Sequence, residues 1–128
     1  GNTVLLLPED PDASAAHLKA RFDARWNVNV GVIIADSVGR AWRLGTVGIA
    51  IGTAGVAALN DSRGEPDMFG RALEVTVTGH ADAIAAAATL VMGEGEEAIP
   101  SALVRGVERG EAMPASSINR PKSEDMFR

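Results

Sequence analysis

The chain has 128 residues and a formal net charge of -5, with 46% hydrophobic and 23% charged residues. A domain of this size buries roughly two-thirds of the surface that its unfolded chain exposes, so an ordinary hydrophobic core is expected. The acidic balance argues against nucleic acid as a partner, because phosphate binding needs a basic face. The sequence contains no cysteine, which excludes thiol catalysis, disulfides and thiolate metal sites.

The apolar runs are shorter than the about 20 residues that a membrane span needs, and no basic-then-apolar signal peptide is evident. These features predict a cytoplasmic protein without a membrane partner. The chain opens GNTVLLLPED, with a strand-like composition and no initiator methionine. This opening predicts that the chain is part of a longer protein.

The first part of the chain predicts a strand followed by a helix. Residues 3–8 are a short apolar strand candidate. Asp10 and Pro11 are the residue types of a helix N-cap and first helical position. The predicted helix continues to about Trp26, and its apolar face is spaced through four residues: Ala15, Leu18, Phe22 and Trp26.

Two further apolar segments follow the helix. Residues 28–36 predict a buried strand that ends at Asp36. Residues 47–59 are apolar but are interrupted by Gly48, Gly52 and Gly55. Such glycines predict a strand that bends or that another backbone approaches closely.

The second part of the chain alternates in the same way. Residues 60–70 have the composition of a turn-rich connector, and residues 71–79 alternate like a half-buried strand. Thr78 is the expected cap of a helix over residues 80–92, which Gly93 is expected to stop.

An acidic loop at residues 93–97 precedes a last predicted strand at residues 98–107. The chain is therefore divided into a partial domain at residues 1–107 and a polar tail at residues 108–128, which is expected to be mobile. Mixed strands and helices predict an α/β or α+β fold, a mixed sheet with flanking helices.

The carboxylate and hydroxyl of Asp36 and Ser37 follow a predicted buried strand. Open sheets bind ligands beyond the carboxyl ends of their strands, and hard oxygen ligands suit Mg²⁺ or Mn²⁺. Residue chemistry alone leaves an alternative open, in which Asp36 only caps the turn through Gly39.

Other polar residues also have two interpretations. Arg40 and Arg43 can clamp phosphate or carboxylate groups or form surface salt bridges, and Trp42 can stack on a ligand or fill a core. The glutamates of the acidic loop can be a solvated turn. The two histidines, His17 and His80, are interpreted as structural. No phosphate-binding glycine motif or serine-hydrolase elbow is present.

Four blocks occur in order along the chain: DSVGRAWR, VGIAIGTAG, RGEPDMFGRALEVT and HADAIAAAATLVMGEGEEAIPSALVRG. Together they resemble the coenzyme F420-0:L-glutamate ligases, the gamma-glutamyl ligases of deazaflavin coenzyme biosynthesis. The resemblance covers residues 4–106 and corresponds to the carboxyl-terminal half of such a ligase.

The resemblance implies a GTP-dependent amide synthesis that uses Mg²⁺ or Mn²⁺. The γ-phosphoryl group of GTP activates a carboxylate of the deazaflavin substrate as an acyl phosphate, which the amine of L-glutamate then attacks. The resemblance also implies a homodimer. The alternative from another class is a non-catalytic ligand-binding or dimerisation module related to the ligase.

Site residues are implied by position within the matched blocks. Asp36 and Ser37 match a metal-binding pair, and Glu94 matches a second metal ligand. Arg40 and Arg43 match basic positions that contact phosphate or substrate. The nucleotide-contacting residues match a single loop: Met92, Gly93, Glu94, Gly95, Glu96 and Glu97. The roles of Arg63 and Asp67 stay open, and no catalytic residue is assigned.

The sequence departs from the family pattern at Ser37, which replaces a threonine, and at Val38, which replaces an aromatic residue. Glu94 stands where glutamine is also common. The upstream half of the family enzyme supplies another metal-binding aspartate and further GTP contacts. We therefore expect the chain alone to be catalytically incompetent.

Overall fold

The computed structural model describes residues 3–125. It contains two longer helices and a β-hairpin as its main elements, with short strands and 3₁₀ turns between and after them. In chain order these are α1 (Pro11–Trp26), β1 (Val32–Arg40), β2 (Arg43–Ala54), β3 (Asn60–Asp61), β4 (Val77–Thr78), α2 (His80–Met92) and 3₁₀ turns at Ala115–Ile118 and Lys122–Glu124. The fold is α+β, as predicted, with antiparallel two-stranded sheets. No helix within the described part of the chain is long and apolar enough to cross a membrane.

Helix α1 begins and ends where the sequence predicts. The Asp10 carboxylate accepts a hydrogen bond from the Ala13 amide at 2.9 Å, Pro11 occupies the first turn, and Asn27 ends the helix in the left-handed conformation. Of the predicted apolar face, Ala15 is buried, whereas Trp26 is exposed. The helix therefore packs through its small residues near its N-terminus.

Helix α2 also has the predicted range, and Gly93 ends it with a positive φ of 72°. The prediction that Thr78 caps this helix is wrong: the N-cap is Gly79, and no side chain caps it. The buried residues of α2 are Ala81 and Ala85.

Strands β1 and β2 form one long antiparallel hairpin. Both are shifted towards the turn relative to the predicted strands at residues 28–36 and 47–59: β1 begins only at Val32 but continues to Arg40, and β2 begins at Arg43 but ends at Ala54. The two strands are joined at Ala41 and Trp42. The register shifts between Ile34 and Ala35, where Ile51 of β2 is the extra residue of a β-bulge.

Two glycines of β2 allow the helices to approach. A Cβ atom at Gly48 would lie 2.5 Å from Cγ2 of Thr89 in α2. One at Gly52 would overlap the carbonyl group of Pro11 in α1. The predicted close approach of another backbone is therefore confirmed at Gly52. Because the bulge shifts the alternation of side chains, the two glycines face opposite sides, and the helices pack on opposite faces of the hairpin.

An aspartate in the first turn of each helix holds it to β2. Asp12 of α1 accepts a hydrogen bond from the Thr53 amide, and Asp82 of α2 accepts one from the Ala50 amide, each at 2.9 Å. The two amides flank the bulge at Ile51. The carboxylates therefore satisfy backbone donors that β1 does not bind.

Three predicted strands differ in the structure. Residues 3–8 and 98–107 form no regular element, and residues 71–79 contribute only an isolated bridge at Ala72 and the two-residue β4. Residues 60–78 instead make an irregular hairpin arm. Its backbone bonds include Ser62 N to Thr76 O at 3.0 Å. A strand needs a neighbour for its backbone groups, and residues 3–8 have no such neighbour within residues 3–125.

Part of the C-terminal segment, residues 109–115, bonds to the rest of the chain, while the predicted mobility of residues 108–128 stays a prediction. The Ala57 amide donates to the Arg109 carbonyl at 2.6 Å, and the Met113 amide donates to the Val56 carbonyl at 3.1 Å. The Asp12 carboxylate also accepts from the Ala115 amide at 2.8 Å. Asp12 thus joins α1, β2 and the C-terminal segment.

Candidate active site

Asp36 and Ser37 lie in the middle of β1, opposite Ile49 and Gly48 of β2. They do not lie at a strand end, because β1 continues to Arg40 before the hairpin turns. The prediction that Asp36 and Ser37 lie at the carboxyl end of a strand, where open sheets bind ligands, is therefore wrong. Asp36 does not cap the turn through Gly39 either, since its Oδ1 accepts from the Ser37 amide at 2.9 Å.

The side chains of Asp36 and Ser37 point to opposite faces of the hairpin, because successive residues of a strand alternate. Ser37 shares the face of Gly48, which α2 covers through Thr89. Asp36 shares the opposite face with Ile49. The side chains of Asp36 and Ser37 are both half-buried. The neighbouring residues thus present the carboxylate and the hydroxyl to different surroundings.

Helix α2 leads from the Ser37 face to the acidic loop. Thr89 contacts the Gly48 position, and Gly93, four residues later, begins the loop. At a rise of about 1.5 Å per residue, the start of the loop lies roughly 6 Å further along the helix axis. The structure thus joins two predicted site segments through one short stretch of helix.

The loop folds back on itself around Glu97. The amides of Glu97 itself and of Gly95 lower the pKa of the Glu97 carboxyl, and Gly95 N lies 2.8 Å from Glu97 Oε2. The Glu94 and Glu96 side chains are exposed. An open depression of about 340 Å³ lies beside the loop, lined by Met92, Gly93, Gly95, Ala98, Ile99 and Pro100.

The charge of this loop favours cations. It follows the C-terminus of α2, where the helix dipole is negative, and it carries the carboxylates of Glu94, Glu96 and Glu97. Phosphate groups alone would be repelled here. A nucleotide at this loop therefore requires a cation between its phosphates and the protein.

Arg40 and Arg43 face each other across the end of the hairpin, and both are exposed. Arg40 Nη2 donates to the Leu44 carbonyl at 3.3 Å. Neither arginine forms a salt bridge with a carboxylate of residues 3–125. Trp42 between them is 95% exposed with a φ of 63°, so the interpretation as a core residue is wrong.

The connector at residues 60–70 carries carboxylates with local structural roles. Asp67 binds the amides of Phe69 and Arg71 at 2.8 and 2.9 Å and so forms the tip of the hairpin arm. Arg63 pairs with Asp61, and this hydrogen bond lowers the pKa of the Asp61 carboxyl to about 2. Arg63 and Asp67 therefore each have a structural partner in the arm.

The histidines make no site. His80 Nε2 hydrogen bonds to the Glu108 carbonyl at 2.8 Å, which ties α2 to the C-terminal segment, and His17 is exposed on α1. Within residues 3–125, no three His, Cys, Asp or Glu side chains lie together as metal ligands. The predicted metal residues are thus not a complete site by themselves.

Sequence reasoning missed Asp12 and Asp82, which hold the helices to the hairpin. The available signal was an acidic residue in the first turn of each helix, which is typical of favourable helix-dipole contacts. That signal cannot tell which distant amide the carboxylate binds.

Comparison with known proteins decides the family. The model of the F420-0:gamma-glutamyl ligases matches residues 1–106. The chain belongs to this ligase family. It is 46% identical to a coenzyme F420:L-glutamate ligase of Methanopyrus kandleri, over 98% of this chain and 52% of that protein. Two ligases of the same name, from Methanocaldococcus jannaschii and Archaeoglobus fulgidus, are 46% and 47% identical over 98% of this chain and 51% of their own lengths.

The chain thus spans about half the length of the curated ligases that it matches. Asp36, Ser37 and the acidic loop all fall within residues 1–106, the part matched by the family model.

Proposed function

We propose that this chain is one part of a ligase that forms an amide bond between L-glutamate and coenzyme F420-0, with GTP as the energy source. Support comes from the family and from relatives that carry this name at 46–47% identity. The observation that carries the proposal is the connection of the Asp36–Ser37 strand, through α2, to the acidic loop at residues 93–97.

The donor chemistry of the site fits Mg²⁺ or Mn²⁺. Asp36, on one face of the hairpin, and Glu94, after the helix on the other face, each offer carboxylate oxygens, which these hard cations prefer, and they would hold separate ions. The chain has no cysteine to favour a softer metal. The metal, when bound, supplies positive charge that screens the phosphates from the carboxylates of the loop. The other ligands come from outside residues 3–125, because these residues hold no complete cluster.

In the proposed reaction, a carboxylate oxygen of F420-0 attacks the γ-phosphorus of GTP, and GDP leaves. The amine of L-glutamate then attacks the resulting acyl phosphate at carbon, loses a proton and expels phosphate. Charge accumulates on phosphoryl oxygens in both steps. Arg40 and Arg43 at the end of the hairpin offer guanidinium groups that can bind such oxygens, and neither is engaged by a carboxylate of residues 3–125.

The test is a ligase assay on this chain together with the rest of the enzyme, using GTP, Mn²⁺, L-glutamate and F420-0. We expect glutamylated product from the complete enzyme and none from this chain alone. Replacement of Asp36 by Asn should abolish turnover. Asp61→Asn is the matched control, since Asp61 pairs with Arg63 on the hairpin arm and should be dispensable. A complete enzyme that releases no GDP and forms no product would refute the activity.

A second candidate is a non-catalytic ligand-binding or dimerisation module. The observation that favours it is the incomplete set of metal ligands within residues 3–125. The two candidates differ in one result. A module binds a nucleotide or a second copy but forms no product in any combination with ligase parts.

We also propose that the complete ligase is a homodimer located in the cytoplasm. Large exposed apolar side chains, among them Leu44 at the end of the hairpin, are consistent with further association. Light scattering of the complete enzyme that gives the mass of one copy would contradict the dimer.

A further inference from the structure

The chain exposes far more surface than a folded protein of its mass. Its accessible surface is 10048 Å², whereas a compact monomer of 13.3 kDa exposes about 6,450 Å². The excess is about 3,600 Å², more than a third of the surface. A large part of the apolar surface is therefore not covered by the chain itself.

The composition of the core agrees with this excess. The buried apolar residues are almost all small: Ala15, Val32, Ala50, Val56, Ala57, Ala58, Ala81, Ala85 and Ala115. Among the described residues, no large side chain is fully buried, while Leu5 is 100% exposed within an apolar run at residues 4–7. Exposed apolar surface of this extent is typical of a site that another polypeptide covers.

Side chains already bind two outward amides on the outer edge of β2. In an antiparallel pair, amides that do not bond to the partner strand point outwards. The outward amides of Ala50 and Thr53 are bound by Asp82 and Asp12. No further strand can bind these two donors.

The outer edge of β1, in contrast, is open. Ala35 and Ile33 pair with Ala50 and Thr53, and opposed residues have their amides in the same orientation. Both amides therefore point away from β2. Outside the β1–β2 ladder, neither amide donates a hydrogen bond within residues 3–125. The Ser37 amide on the same edge is bound by the Asp36 carboxylate. A strand edge with free amides at Ile33 and Ala35 is a template for another strand.

We propose that the open edge of β1 and the exposed apolar run at residues 4–7 together dock the remaining half of the ligase, which adds a strand to β1. The inference rests on family membership and on surface, not on the proposed activity. Its occupant is a polypeptide with the sequence of the ligase half that this chain does not contain.

Area and length select this occupant over a second copy. A standard interface buries about 800 Å² on each partner, and the excess surface here is more than four times as large. The matched relatives are about twice as long as this chain. Residues that complete one fold bury the larger area, whereas an ordinary dimer contact leaves most of it exposed.

The test uses the unmatched half of the Methanopyrus kandleri, Methanocaldococcus jannaschii and Archaeoglobus fulgidus ligases, each produced separately. Each half is mixed with this chain, and the mass of the complex is measured by light scattering after size exclusion. With at least one of the three halves, we expect a complex that contains equal numbers of the two polypeptides. Absence of a complex with all three halves overturns the proposal.

Hydrogen exchange locates the contact. We expect the Ile33 and Ala35 amides to exchange at least about tenfold more slowly in the complex, while the Ala50 amide, already bound by Asp82, changes little. Equal protection of Ile33 and Ala35 in a homodimer of this chain alone would assign the edge to a second copy and would overturn the choice of occupant.

A pair of variants tests the edge itself. Ala35→Pro removes the outward amide without removing a bond to β2, and it should weaken binding of the other half at least about tenfold. Ala35→Ser keeps the amide and should bind like the wild type. Circular dichroism shows whether the proline variant has kept its fold. If it has not, hydrogen exchange of Ile33 and Ala35 in the unmodified chain decides whether the edge of β1 binds the other half. Binding is measured without substrates, so a ligase that proves inactive leaves this test intact.

Discussion

Replacement of Gly52 by Ala tests how α1 is seated on the hairpin. The added Cβ would overlap the carbonyl group of Pro11 and lie 2.8 Å from the Pro11 Cβ. These atoms belong to the first turn of α1, and backbone cannot rotate away as a flexible side chain can. The substitution therefore forces the helix and β2 apart.

The expected cost is about 3 kcal/mol. Overpacking of a closely packed site costs about 1–3 kcal/mol. Movement of Pro11 also displaces Asp12, whose hydrogen bond to the Thr53 amide is charge-assisted and is of the class that contributes about 1.5–3 kcal/mol. The lower entropy of an unfolded chain with alanine offsets about 0.4–1 kcal/mol of this loss.

Urea denaturation followed by circular dichroism measures the effect. With a slope of about 1.5 kcal/mol per molar urea, Gly52→Ala should lower the midpoint by roughly 2 M. Gly39→Ala is the matched control, because the added Cβ at Gly39 meets no atom within 4 Å. The control should leave the midpoint unchanged or raise it slightly. Equal midpoints for Gly52→Ala and Gly39→Ala would refute the close approach of α1.

Two further substitutions test the same contacts. Gly48→Ala should lower the midpoint by less than Gly52→Ala, because the nearest atom is the end of the Thr89 side chain at 2.5 Å, although Ala85 O at 3.0 Å cannot move; a larger loss than for Gly52→Ala would contradict this order. Burial raises the pKa of the Asp12 carboxyl, but the amides of Thr53, Ala115 and Ser116 lower it more, so the net direction is downward. Its stabilising effect is therefore present above the unfolded pKa of about 4 and is lost as pH falls through the folded value. Urea midpoints of wild type and Asp12→Asn should differ at pH 7 and converge in acid, and a constant difference would exclude ionisation of Asp12 as the cause.

Local signals predicted the helices well. The Asp10 cap and Pro11 define the start of α1, and Gly93 defines the end of α2, because caps and glycine stops act within a few residues. The N-cap of α2 was missed by one residue: Thr78 has a suitable side chain, but it lies in β4 and Gly79 takes the cap position. Thr78 instead pairs with Asn60 of β3.

The hairpin was not predicted because its turn lacks the usual residues. Two-residue hairpin loops favour Asn-Gly or Gly-containing pairs, which tolerate positive φ. Here the turn contains Ala41 and Trp42, and Trp42 itself adopts the positive φ. This turn therefore carries no residue signal that β1 continues past Asp36 or that it turns back directly into β2. For the same reason Asp36 was expected at a strand end.

The free strand edge and the incomplete site have a common explanation. Asp36 lies on β1, whose outer edge is open, and residues 3–125 supply no cluster of ligands around it. A strand added beside β1 brings new side chains next to those of Asp36, since neighbouring strands lie about 4.8 Å apart. The polypeptide proposed to cover the edge would thus also be positioned to provide further ligands for the proposed metal site. Metal affinity at Asp36 should then depend on the bound half. If the chain binds Mn²⁺ equally well with and without that half, the half can still cover the edge of β1 but does not complete a metal site at Asp36.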